Sequence, residues 1–461
     1  MKLYVIFKFY REVIGRMSKD ELKKEIGIVP ALAIVIGMVI GSGVFFKPRA
    51  VFTSTGAPGL GIMAWILGGI ISIAGGLTAA EISAAIPRTG GMVAYLEETY
   101  GDIWGYLLGW AQIVIYFPAN IAALSIIFAT QAVSLLVLGD GTIIPIAIIV
   151  SIFLLCMNSL GSKTGAAIQT VATVAKLVPL VAIIVVGLMN GDGGVVRLFP
   201  MTAADHPIGT SLGSALVATM FAYEGWINVG AIAGEMKNPA KDLPRAIIGG
   251  LSLVMAVYLL INVAYLFVLP ASALAATKTP AADVAKMIFG PSGGKIITIG
   301  ILISIFGTIN GYILTGMRIP YVMALENKLP ASKWLAKLHP TFKTPINSGI
   351  LVTTISILLI FSGKFDQLTD LLVFVIWIFY CMTFYAVIVL RKNQPNLHRP
   401  YKVPLYPILP AIAIIGGVYI ILNTLFTQPL NAGLGIVLTL IGYPIYKLRK
   451  DKFTKSEDNI A

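Results

Sequence analysis

Residues Ile34–Pro48 read IVIGMVIGSGVFFKP, an apolar helical stretch interrupted near its middle by Gly41, Ser42 and Gly43. Inside a bilayer every unpaired backbone N–H or C=O is expensive. A flexible Gly-Ser-Gly at mid-depth therefore persists where it lines a polar cavity, and a polar cavity at that depth points to transport. A second half-helix starting near Gly43 would aim free N–H groups and a positive dipole end into the gap, which favours a carboxylate. The competing reading is a helix-packing notch of small residues. Gly37 and Gly41 already stand at that spacing, so Ser42 and Gly43 exceed what a notch requires.

The surrounding composition fixes the class. Of 461 residues, 57% are hydrophobic and 12% charged, with a mean hydropathy of +0.87, which describes an integral membrane protein and excludes a soluble enzyme. The net charge of +13 sits in short loops and tails between apolar runs, so it reads as membrane topology and not as nucleic-acid binding. Cys156 and Cys381 each lie in an apolar run without a second Cys or His at ligand spacing, so neither a disulfide nor a metal site is implied. No His, Cys or paired-carboxylate cluster forms a nucleophile or calls for a cofactor.

Hydropathy predicts about twelve spans, at 28–52, 58–84, 101–138, 143–160, 166–189, 208–235, 244–269, 293–325, 345–361, 367–391, 404–425 and 431–448. An even number places both termini on one side. That side collects about 26 of the 34 Lys and Arg against about five in the opposite loops, so the tails are expected to be cytoplasmic. The basic N-terminus lacks the apolar length and small-residue cleavage site of a signal peptide. The outer loop near 270–292 has the composition for a short helix around residues 281–289, and PRTGGMVAYLEETYG, carrying Tyr95 and Glu97, suits a short cytoplasmic helix that either closes the inner path or is merely solvated.

A second interruption falls in the sixth span, where Phe221, Ala222, Tyr223, Glu224 and Gly225 lie in mid-membrane. Five helices separate spans one and six, so the two run in opposite directions and the halves of the chain form inverted repeats. Half-helix ends then converge at the midplane: N–H groups of one hold a carboxylate and carbonyls of the other hold an ammonium, the two charges of an amino acid backbone. Phe221 reads either as a gate over the ligand or as packing. Glu224 is functional by its depth, whether it touches the ligand or another helix.

GSGVFFKP, PRTGG at Pro87–Gly91, FAYEGW and GEMKNPAKDLPRAI at Gly234–Ile247 resemble the L-type amino acid transporters of the amino acid-polyamine-organocation superfamily, over nearly the whole chain. Within that family the sequence is similar to alanine-serine-cysteine exchangers. The resemblance implies an all-α, leucine-transporter-like fold of five plus five inverted helices with two more at the C-terminus. Spans one, two, six and seven would form a bundle rocking against a scaffold. The chain then divides into a tail 1–27, repeats 28–191 and 192–392, helices 393–449 and a tail 450–461. The resemblance also implies sodium-independent exchange of small neutral L-amino acids across the plasma membrane. The carboxylate turn falls on Ile40, Gly41, Ser42 and Gly43, and the ammonium and gate turn on Phe221, Ala222 and Glu224. The animal members carry an outer-loop cysteine that links them to a glycoprotein subunit. Here Gly139–Thr142 contains none, so no disulfide-linked partner is expected.

Lys176 lies too deep in the fifth span for easy snorkelling and demands a partner. In sodium-coupled relatives of the fold, an ion bridges the first break to spans five and eight, and the resemblance places Lys176 there as a built-in cation. Tyr258, deep in the seventh span and away from the interfacial belt, offers its hydroxyl either to the same break or to a water bridge. Two alternatives stay open at this point: a lysine satisfied locally at the Pro179 kink, and a proton-coupled amino acid or polyamine symporter in which Lys176 titrates.

Overall fold

The computed structural model describes residues 27–86, 91–190, 198–199, 201–203, 205–227, 236–362 and 364–449. Both tails, most of the PRTGG stretch and residues 228–235 lie outside them. Among the described residues the regular structure is all helical. Eight helices among those residues are long and apolar enough to cross a membrane, and the shorter apolar helices Ala175–Asn190, Ile208–Ala222 and Ile346–Ile360, with the interrupted first segment, complete the polytopic pattern.

The first segment is α1 (Ile28–Val39) and α2 (Gly43–Thr55), separated by Ile40, Gly41 and Ser42. Next come α3 (Pro58–Ala85) and the short α4 (Met92–Tyr100). The third span joins α5 (Asp102–Ala111) to α6 (Phe117–Leu136) through a π turn at Gln112–Tyr116. After α7 (Ile143–Ser159) and α8 (Ser162–Asn190), the sixth span is α9 (Ile208–Ala222) and the seventh α10 (Pro239–Val268). A small α11 (Ala271–Ala276) precedes α12 (Pro280–Gly316) and α13 (Arg318–Leu325), and a turn of helix, α14 (Ser332–Leu335), leads to α15 (Ile346–Ile360), α16 (Phe365–Asn393), α17 (Ile408–Thr427) and α18 (Pro429–Leu440).

Helix α12 begins thirteen residues before the hydropathic start of the eighth span, bending at Gly290, whose φ of +70° only glycine takes easily. The helix expected around 281–289 is its first arm.

Burial separates the spans by role. The apolar window of the third span is 83% buried and that of the last span 17%, so the third span is enclosed by protein while the last presents most of its side chains to lipid. Helices α1, α2, α3, α9 and α10 pack on one another, and α6, α7, α8, α12 and α15 form a second set; α8 bridges by touching α10 as well as α12. Small residues permit the close crossings: a Cβ on Gly307 would lie 2.1 Å from the Ala172 Cβ, between α12 and α8.

Candidate functional site

A helix that stops in mid-membrane leaves its last carbonyls without amide partners. Ile40 still donates its N–H to Ile36 O, at 2.8 Å, but the next carbonyls turn to side chains. The buried Lys176 ammonium donates to Gly37 O at 2.9 Å and to Ile40 O at 2.8 Å. The buried Tyr258 hydroxyl lies 2.9 Å from Val39 O and 2.9 Å from Ala222 O, and the Gly41 N–H donates to it. One hydroxyl proton thus serves carbonyls of both broken spans. Helix α2 starts at Gly43 with no side-chain cap, its amides directed back toward the break.

Helix α9 ends with an ordinary helical bond, Tyr223 N–H to Thr219 O at 2.9 Å, followed by a tighter one, Glu224 N–H to Phe221 O at 3.3 Å. Gly225 then turns with φ +111° against Met38, where a Cβ would stand 2.9 Å from the Met38 carbonyl oxygen. The breaks touch each other: a Cβ on Gly43 would lie 2.5 Å from the Cα of Ala222. Gly41 is looser, its Cβ position 3.5 Å from the Thr308 methyl, so the two glycines are not equivalent.

Glu224 is buried and accepts on one carboxylate oxygen from the Tyr116 hydroxyl, at 3.0 Å, and from the Tyr380 hydroxyl. Tyr116 closes the π turn of the third span, a widened turn that redirects side chains and recurs at functional sites. Tyr312 of α12 packs edge-on against Tyr116, at 6.2 Å between ring centres. Among the described residues, Ser42 Oγ, Gln112 Oε1 and Asn120 Oδ1 are buried around this region without a partner. Sequence reasoning alone does not single out Tyr116, Tyr312 and Tyr380. Their only signal there is a hydroxyl-bearing ring in the middle of spans three, eight and ten.

Toward the end where α2 finishes, Phe221 packs edge-on against Phe365, at 5.7 Å and 90°. The fully buried Lys47 ammonium stands 5.3 Å and 4.8 Å from these rings while donating to Asp366 Oδ1 at 2.9 Å and Thr369 Oγ1 at 2.6 Å. Asp370 is 3.8 Å from the same ammonium. A vestibule of about 410 Å³, bordered by Arg49, Lys278, Phe365 and Asp366, ends on this layer. In the sequence the only signal of Lys47 is a lysine flanked by Phe46 and Pro48 on a membrane helix.

At the opposite end, Tyr95 of α4 and Trp226 are buried across a space of about 10 Å³, no more than one water. Arg391 forks onto Glu81 at 2.8 and 2.6 Å, and Lys328 meets Glu97 at 2.5 Å, Glu326 at 2.9 Å and Asp102 at 3.1 Å. Burial opposes the charge on Lys328, yet hydrogen bonds to Glu97 and Glu326 hold its pKa above the usual lysine value. Among the described residues, packed side chains thus stand on both sides of the breaks.

Paired interruptions held to each other by side chains of neighbouring spans are a transport architecture. A profile of the family described as Amino acid permease matches residues 26–443. The chain belongs to the amino acid permease family. The permease is 44% identical to the serine/threonine exchanger SteT of Bacillus subtilis, the match covering 92% of this chain and 96% of that protein. It is 32% identical to the Asc-type amino acid transporter 1 of Mus musculus, over 93% and 81% of the two chains. It is 30% identical to the cystine/glutamate transporter of Homo sapiens, over 94% and 86%. This permease is thus a multi-pass membrane transporter of amino acids, related to the L-type transporters, and not an enzyme.

Proposed function

We propose that the permease is a sodium-independent exchanger of small neutral L-amino acids of the alanine, serine and cysteine type, with threonine included on the similarity to SteT. The substrate carboxylate lies at the amide end of α2, around Ile40, Gly41, Ser42 and Gly43. Its ammonium faces the turn of Phe221, Ala222 and Glu224, and Phe221 closes over it beneath Lys47. The two halves, 28–191 and 192–392, act as inverted repeats in the plasma membrane with both termini in the cytoplasm. The chain works without a disulfide-linked subunit, since Gly139–Thr142 lacks the cysteine such a link uses.

The observation that carries this reading is the Lys176 ammonium on the Gly37 and Ile40 carbonyls. A fixed cation there neutralises the carbonyl end of α1 and ties the moving helices to α8, the service a bound sodium ion would otherwise perform. The test is purified protein in liposomes taking up labelled alanine. Uptake should require unlabelled serine inside and be equal in sodium and choline media. Accumulation driven by a sodium gradient into empty liposomes would refute the proposal. Serine and threonine should compete, whereas alaninamide and putrescine, each lacking the carboxylate, should not.

A further inference from the structure

The loop between the eighth and ninth spans carries Lys328, Lys333, Lys337 and Lys343, and beneath it the structure holds a cavity of about 230 Å³, well beyond the space one water needs. Asn158, Met317, Arg318, Tyr321, Lys343 and Thr344 border it, far along the fold from both breaks. Its charge is unbalanced. Lys328, in the same loop, is surrounded by three carboxylates. Arg318, by contrast, reaches only Leu314 O, at 3.3 Å, and neither it nor Lys343 meets a carboxylate among the described residues.

Lys343 is held in place at the rim. It adopts φ +53°, a left-handed conformation that lysine seldom takes, within a turn closed by Lys343 N–H to His339 O at 3.0 Å and His339 N–H to Thr344 O at 2.8 Å. The Thr344 hydroxyl donates to Ser159 O at 2.9 Å, fastening the turn to the end of α7. On the cavity's inner wall, the fully buried Asn158 donates its amide to Leu154 O at 2.8 Å and to Asn310 Oδ1 at 2.9 Å. Its own Oδ1 has no partner among the described residues. Such an acceptor calls for a hydroxyl or amide donor. Exposed Leu160, Leu338 and Phe342 lie in the same segments and offer contact to acyl chains.

We propose that this cavity binds the headgroup of an anionic phospholipid of the phosphatidylglycerol type, with Arg318 and Lys343 on the phosphate and Asn158 Oδ1 accepting from a glycerol hydroxyl. By the positive-inside distribution the cavity opens at the inner leaflet, where basic pockets between helices meet anionic headgroups. Inorganic phosphate shares the charge but has neither the hydroxyl nor the tails.

The experiment is native mass spectrometry of the full chain in detergent with added phosphatidylglycerol or phosphatidylcholine, and melting curves with each lipid and with inorganic phosphate. One phosphatidylglycerol should be retained and should raise the melting temperature, while phosphatidylcholine and inorganic phosphate do neither. Each basic residue near a membrane surface is worth about fivefold in binding, so Arg318→Ala with Lys343→Ala should weaken retention roughly twenty-five-fold. Lys343→Gln, at an exposed position, provides a folded single variant with about a fivefold loss. Equal retention of phosphatidylcholine, unchanged retention by the folded variants, or a melting shift that phosphate alone reproduces would each overturn the assignment. None of these readouts depends on which amino acid is transported.

Discussion

Replacing Lys176 by alanine should slow exchange about a hundredfold while leaving a folded protein in the membrane. The ammonium makes two bonds to backbone carbonyls, at 2.9 and 2.8 Å, and is buried. A hydrogen bond from a charged donor is worth roughly 1.5–3 kcal/mol, and removing the donor also strands its acceptors. Because the two bonds share one ammonium they are not additive, and a combined loss of about 3 kcal/mol is the working figure. If that coupling is lost from the transition between conformations, the rate falls by about two powers of ten. The ammonium touches the helix end and not the amides of α2, so the apparent substrate constant should move less, on the order of fivefold. Sodium should not restore activity, since an alanine leaves orphan carbonyls without supplying the oxygen shell a sodium ion needs. Counterflow of labelled alanine in liposomes, at matched protein and with gel filtration as the folding check, measures this. Parental exchange by the variant, or rescue by sodium, would show that Lys176 does not couple the helices.

Lys47→Met removes the cation between Phe221, Phe365, Asp366 and Asp370. Asp366 is 45% exposed and readily rehydrated, so the outer layer should lose about 2 kcal/mol, less than the roughly 3–5 kcal/mol of a fully buried broken pair. In a Cys156→Ala, Cys381→Ala background carrying Thr308→Cys, an impermeant thiol reagent applied outside should then react roughly thirtyfold faster; an unchanged rate counts against the gate. Gly43→Ala should abolish exchange, because its Cβ would fall 2.5 Å from the Ala222 Cα, a backbone atom that cannot yield. Gly41→Ala, with 3.5 Å to a side-chain methyl, should keep most activity, and equal effects of the two would discredit the close crossing. Tyr258→Phe deprives the Val39 and Ala222 carbonyls of their shared proton, a loss of about 1–2 kcal/mol, and should lower turnover about tenfold; a wild-type rate at equal protein would remove the hydroxyl from the mechanism.

The class and the position of both interruptions are legible in the chain alone, because hydropathy and helix breaking are local properties that the bilayer enforces residue by residue. Gly41, Ser42 and Gly43, and the turn from Phe221 to Gly225, are legible wherever they stand in a chain of this composition. The satisfaction of the freed carbonyls is not local and depends on how distant helices pack. Lys176 bonds a carbonyl 136 positions away, and Glu224 meets tyrosines 108 and 156 positions away. A lysine deep in a span announces a missing partner through its desolvation cost. A tyrosine in an apolar helix carries little such cost and announces nothing. For the same reason Lys47, next to the first break in sequence, showed its meaning only once Asp366, 319 positions on, was packed against it. The difference between Gly41 and Gly43 lies wholly in what the neighbouring helices place beside each one, Thr308 in one case and the backbone of Ala222 in the other.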